Sequence, residues 1–122
     1  MAAFILNVTF DAIDPARLAQ FWSQVTGYDV VTADHDFAAL HAPDERGVRN
    51  ILFYPVEQPT QGKNRMHVDL AAREPIAEIA RLIELGASLI DGGSADAPRW
   101  REGNDTRWVV MADPEGNEFC LG

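Results

Sequence analysis

The chain has 122 residues, 47% of them hydrophobic, which suits one domain with a real core. Its formal net charge of −9 argues against nucleic acid or an anionic membrane as the main partner, because both select basic surfaces. One cysteine excludes an internal disulfide and a multi-cysteine zinc site, and no stretch approaches a membrane span.

The opening MAAFILNVTF has no basic leading region and only a short, broken apolar run. No signal peptide is read there, and a soluble cytoplasmic domain is expected. Within it, Phe4, Leu6, Val8 and Phe10 alternate with Ile5, Asn7, Thr9 and Asp11. This is a strand whose apolar face packs on helices. Asp14-Pro15 then reads as the capped entry to a helix. Leu18, Phe21, Trp22 and Val25 give that helix an apolar stripe, and Gly27 stops it. Three further strands follow in YDVVTA, FAALHA and NILFYPV. His35 and His41, in the hairpin ADHDFAALHAPDERG, read as surface or edge residues.

The second half repeats the first. Val68, Leu70, Glu74 and Pro75 fall sixty positions after Val8, Phe10, Asp14 and Pro15. Met66, Val68 and Leu70 form the apolar face of a fifth strand, and Arg65, His67 and Asp69 the polar one. Ile76, Ile79, Ala80 and Ile83 stripe a second helix that Gly86 ends. ASLIDG, TRWVVMA and NEFCLG are read as the last strands. The division expected is a first module over 1–56, a polar linker over 57–64 and a second module over 65–122, together one domain. Asp113-Pro114-Glu115-Gly116 is a tight turn. Beyond it Glu118 and Cys120 share the polar side of the last strand, and Phe119 and Leu121 the apolar side.

Burying an unpaired polar group costs about 1–3 kcal/mol. A sheet face carrying several such groups is therefore wet or holds a ligand. Residues 91–108 form a long glycine-rich stretch with Trp100, Trp108, Arg99, Arg101 and Arg107, of the kind that makes binding loops or lids. Its aromatic planes and guanidinium groups suit a flat anionic ligand; anchoring of the loop by Trp100 is the alternative. Trp108 belongs to the core or to a cavity wall.

The tandem strand–helix–three-strand modules, NRMHVDL, LIELGASLI and DPEGNEFCL together resemble the vicinal oxygen chelate superfamily. That group takes in glyoxalase I, extradiol dioxygenases and the fosfomycin- and bleomycin-resistance proteins. The nearest likeness is to small glyoxalase-like domains. The resemblance implies an α+β fold: two βαβββ modules forming an open eight-stranded barrel, often paired as a homodimer. It also implies, in metal-dependent members, a divalent ion held by a His on the first strand, a His on the fifth and a Glu on the last. Those positions fall here on Asn7, His67 and, counting eight from Asp113, Cys120. Asn7 is a weak oxygen donor and Cys120 a soft one, suited to zinc or copper rather than manganese or magnesium.

Three readings of this cluster stay open. His67, Cys120 and Asn7 hold a divalent metal such as zinc. Alternatively, the same side chains serve a metal-free site. In the third reading, His67 hydrogen-bonds a neighbour and Cys120 packs as a small apolar group. The expected function is a small glyoxalase-like enzyme of lyase or isomerase type acting on a small organic molecule, the usual metal site being altered. His67 and Glu118 are its acid–base candidates. Asn7, Thr9, Asp69, Trp100, Trp108 and Cys120 are its ligand contacts. The alternative is a non-catalytic binder that sequesters a drug or small molecule.

Overall fold

The computed structural model describes residues 5–45, 47–58, 64, 66–90, 92–103 and 106–122. They fall into two compact units, Met1–Pro59 and Thr60–Gly122.

In the first unit the elements are β1 (Asn7–Ala12), α1 (Pro15–Thr26), β2 (Asp29–Ala33), β3 (Ala38–His41) and β4 (Asn50–Pro55). The sheet order is β1-β4-β3-β2. Only the β1–β4 contact is parallel. Helix α1 starts where the sequence says it should. The Asp14 carboxylate accepts the Arg17 N–H at 3.2 Å, and Pro15 takes the first helical position, where its missing N–H costs nothing. It ends at Gly27, whose φ of 77° is left-handed and whose N–H reaches Ser23 O at 2.8 Å. The apolar stripe of α1 meets the sheet through aromatic rings. Phe10 stacks on Phe53 at 5.3 Å, and Trp22 tilts against Phe10 at the same distance. The Phe21 ring meets Trp22 at 84°. Trp22 and Phe53 are fully buried, so this cluster is the centre of the unit's core. Phe4 lies outside the described residues, and Leu6 precedes β1 and is exposed.

In the second unit the elements are β5 (Asp69–Leu70), α2 (Pro75–Glu84), β6 (Ser88–Leu89), β7 (Arg101–Gly103), β8 (Thr106–Ala112) and β9 (Glu118–Leu121). The order is β5-β9-β8-β6, with β7 paired to β8, and β5 runs parallel to β9. The two helices thus start on prolines sixty positions apart, Pro15 and Pro75. Their caps differ. Glu74 makes no side-chain cap bond, because its carboxylate sits one methylene farther out than that of Asp14. Ile79 and Leu82 of α2, Ala87, and Val109, Val110, Met111, Ala112, Phe119 and Leu121 of the sheet are buried.

The expected mixed fold is found, with two helices and two sheets; among the described residues the sheets have four and five strands and do not close into a barrel. Two expectations change. The fifth strand is two residues long, and Met66 is 86% exposed rather than packed, because pairing to β9 begins only at Asp69. The stretch over 91–108 is not all loop: β7 folds back on β8, with Arg101 opposite Trp108.

The β8–β9 turn is organised by one buried carboxylate. Asp113, 3% exposed, accepts at Oδ1 from the backbone N–H groups of Glu115 (3.0 Å) and Asn117 (2.9 Å). Its Oδ2 accepts from Asn117 Nδ2 at 2.9 Å. Asp113 N–H and C=O bond to Asn117 O and Gly116 N, both at 2.9 Å, and Gly116 takes φ 87°. This is a three-residue hairpin loop closed by a left-handed glycine. Asp113→Ala leaves those half-buried N–H groups without their acceptor. The expected loss is about 3 kcal/mol in chemical denaturation, with the slope unchanged.

On α2, Glu78 and Arg81 pair one turn apart through Nε–Oε1 and Nη2–Oε2, the latter at 3.1 Å. The hydrogen bond from Arg81 holds the Glu78 carboxyl below its ordinary value of 4.5. A depressed folded-state value gives stability present above the unfolded value and lost as pH falls through the folded one. Glu78→Gln should therefore lower the melting temperature slightly at neutral pH, leave it unchanged in strong acid, and so flatten its fall below pH 4.5.

Candidate functional site

Strand alternation sorts the second unit's sheet into two faces. Register pairs Asp69 with Cys120 and Cys120 with Val110; it also pairs Glu118 with Ala112 and Ala112 with Ser88. Side chains opposite one another share a face, so Asp69, Cys120, Glu118 and Ser88 lie together, opposite the buried Phe119–Met111 and Leu121–Val109 rows. Cys120 N–H donates to Val68 O and Gly122 N–H to Leu70 O, both at 3.0 Å, which fixes β9 against β5.

His67 stands two residues before Asp69. Its Nε2 lies 3.2 Å from Asp69 Oδ1. With Cys120 they form a cluster whose donor atoms all lie within 4.8 Å of one another. His67 and Asp69 are exposed and Cys120 half-buried. Glu118, half-buried, belongs to the same face but not to this cluster. The sequence placed His67, Asp69 and Cys120 on polar strand faces. Their direct proximity depends on the parallel register, which the sequence does not display.

Trp100 is half-buried, and the Arg107 guanidinium stacks on its ring, 4.3 Å from the centroid. The tryptophan–arginine combination read from the sequence is thus at least partly satisfied within the chain itself. Trp108, on β8, packs its ring edge close over Gly103, where an added Cβ would sit 3.3 Å from it.

Asn7 and Thr9 are on the first unit, exposed, on the face opposite the aromatic cluster. There a polar row crosses three strands. His41 Nδ1 meets Asn50 Oδ1 at 2.6 Å, and Asn50 Nδ2 donates to Asn7 Oδ1 at 2.8 Å. Asn7 therefore spends its carbonyl oxygen on Asn50. His41 and Asn50 were not chosen from the sequence as members of such a group; only the β1–β4–β3 order makes them neighbours. Elsewhere in this unit a cleft of about 450 Å³ opens between Ile5, Val48 and the Glu45–Arg49 pair, away from every residue selected from the sequence.

A family profile described as a glyoxalase-like domain matches residues 7–122. The chain belongs to this glyoxalase-like family. No curated protein sequence matches it. Solved structures share its fold. One is a glyoxalase/bleomycin resistance protein/dioxygenase family enzyme from Burkholderia phytofirmans (20% identity, 98% of this chain and 97% of that one, TM-score 0.67). Another is a mutant of the fosfomycin resistance protein FosX from Listeria monocytogenes, complexed with Mn(II) and a dihydroxypropylphosphonic acid (13%, 99% and 90%, TM-score 0.74). A third is a bleomycin-binding protein from Streptomyces verticillus with copper(II)-bleomycin (19%, 99% and 97%, TM-score 0.58).

The metal that such relatives imply can be tested against the residues present. The second unit's cluster offers nitrogen, oxygen and sulfur, a set that fits zinc far better than manganese, which takes oxygen donors. In the first unit, Asn50 is the keystone of the polar row. Asn50→Ala removes both of its side-chain bonds and should lower stability by about 1 kcal/mol in denaturant titration, since both are solvent-accessible.

Proposed function

We propose that this glyoxalase-like chain is an enzyme that takes a small organic molecule onto the polar sheet face of its second unit. The observation that carries this reading is the convergence of His67, Asp69 and Cys120 on the face that also bears Glu118. Two of them, Glu118 and Cys120, are half-buried, where an ionisable group must be kept hydrated or paired. In this reading Glu118 moves the proton. His67, held by Asp69, and Cys120 engage the polar group of the substrate, and Trp108 and Trp100 supply apolar contact. Occurrence as a homodimer in the cytoplasm completes the proposal.

Two named relatives support a small-molecule role in different ways: one is described with a phosphonate and the other with a drug. The second reading, a binder that sequesters its ligand, draws on the charge of −9 and on Trp100, an aromatic plane that already stacks with a cation.

Thermal-shift screening against small metabolites and drugs separates the two. For an enzyme, Glu118→Gln should keep the ligand-induced shift and lower turnover by about 100-fold or more. For a binder, Trp100→Ala should abolish the shift while Glu118→Gln and His67→Ala leave it intact. A hit that is not turned over, and whose shift survives His67→Ala, would overturn the enzymatic reading.

A further inference from the structure

We propose that the second unit binds zinc through His67, Asp69 and Cys120, a site complete within that unit. This differs from the set the family resemblance implies, which draws its ligands from both halves and ends on glutamate. Here an imidazole nitrogen, a carboxylate oxygen and a sulfur come within 4.8 Å of one another on one strand face. Ligands held about 2.0–2.3 Å from a tetrahedral zinc are about 3.3–3.6 Å apart. The 3.2 Å between His67 Nε2 and Asp69 Oδ1 already approximates that edge. Closing Cys120 Sγ onto it needs a movement on the order of an ångström, within the reach of side-chain rotation. The backbone beneath is fixed, because the two 3.0 Å bonds from Cys120 and Gly122 clamp β9 to β5 on either side of the donors.

Donor chemistry selects the ion. Thiolate and imidazole favour zinc, while manganese and magnesium favour oxygen. The net charge of −9 adds a field that attracts cations. Three protein ligands leave the fourth tetrahedral position open to a water or a substrate oxygen, as in catalytic rather than structural zinc sites. Asn7 has no part in this set. The ordinary alternative is a surface His–Asp pair, worth less than about 1 kcal/mol, beside a packed thiol. That alternative predicts no response of Cys120 to zinc.

The inference goes beyond the proposed function and is read without substrate. The untagged chain is freed of metal and titrated with zinc. Bound metal is measured, and alkylation of Cys120, the only thiol, is timed. One zinc per chain is expected, with alkylation slowed about tenfold or more and no protection by manganese or magnesium. Asp69→Asn and His67→Ala should each weaken zinc binding about tenfold or more, while Asn7→Ala should leave it unchanged. Cobalt-loaded protein should show a thiolate charge-transfer band that Cys120→Ser lacks. An alkylation rate indifferent to zinc would overturn the site, as would zinc binding lost in Asn7→Ala but kept in Asp69→Asn. The alkylation measurement uses the unaltered chain, so it stands even where a variant misfolds. Its failure would leave the Glu118 turnover test untouched.

Discussion

The carboxylate of Asp113 sets the geometry on which the second unit depends. It is buried, and it gathers the N–H groups of Glu115 and Asn117 and the Asn117 amide into one closed turn. A hairpin register that slipped by one residue would exchange the two faces of β9. Phe119 and Leu121 would leave the core, and Glu118 and Cys120 would enter it. Because β9 lies between β8 and β5, the same slip would also displace Cys120 from Asp69. The chemistry of the polar face is therefore a consequence of turn packing several residues away.

The turn was legible because Asp113, Pro114 and Gly116 each have a local reason to be there, and local reasons survive in a sequence. The repeat was legible for the same reason: Asp14-Pro15 and Glu74-Pro75, with the stripes that follow, state a helix start and its buried face. Alternation likewise put Glu118 with Cys120 and His67 with Asp69. What the sequence could not state was which strand lies beside which. The Asp69–Cys120 pair and the Asn7–Asn50 bond both arise from parallel contacts between strands far apart in the chain. No short-range pattern encodes such a contact.

Two misreadings have the same root. Met66 fits the alternation of β5, yet alternation shows which side a residue takes, not whether a neighbouring strand reaches it. Arg101–Gly103 reads as loop because charge and glycine dominate it. It becomes a strand through its pairing with β8, where Gly103 makes room for the Trp108 ring.

The parallel contacts have a further meaning for how the protein comes into being. In each unit the strand that is last in chain order, β4 or β9, lies beside the first, with the helix and the remaining strands between them in sequence. Such wide loops close slowly, because entropy is surrendered before any contact rewards it. A nascent second unit therefore holds β5 with its main partner missing, and His67 and Asp69 without their sulfur neighbour, until β9 has been made. Assembly of the His67–Asp69–Cys120 cluster and completion of the sheet are one event. A partly synthesised or partly unfolded chain exposes an unsatisfied strand edge and lacks that cluster.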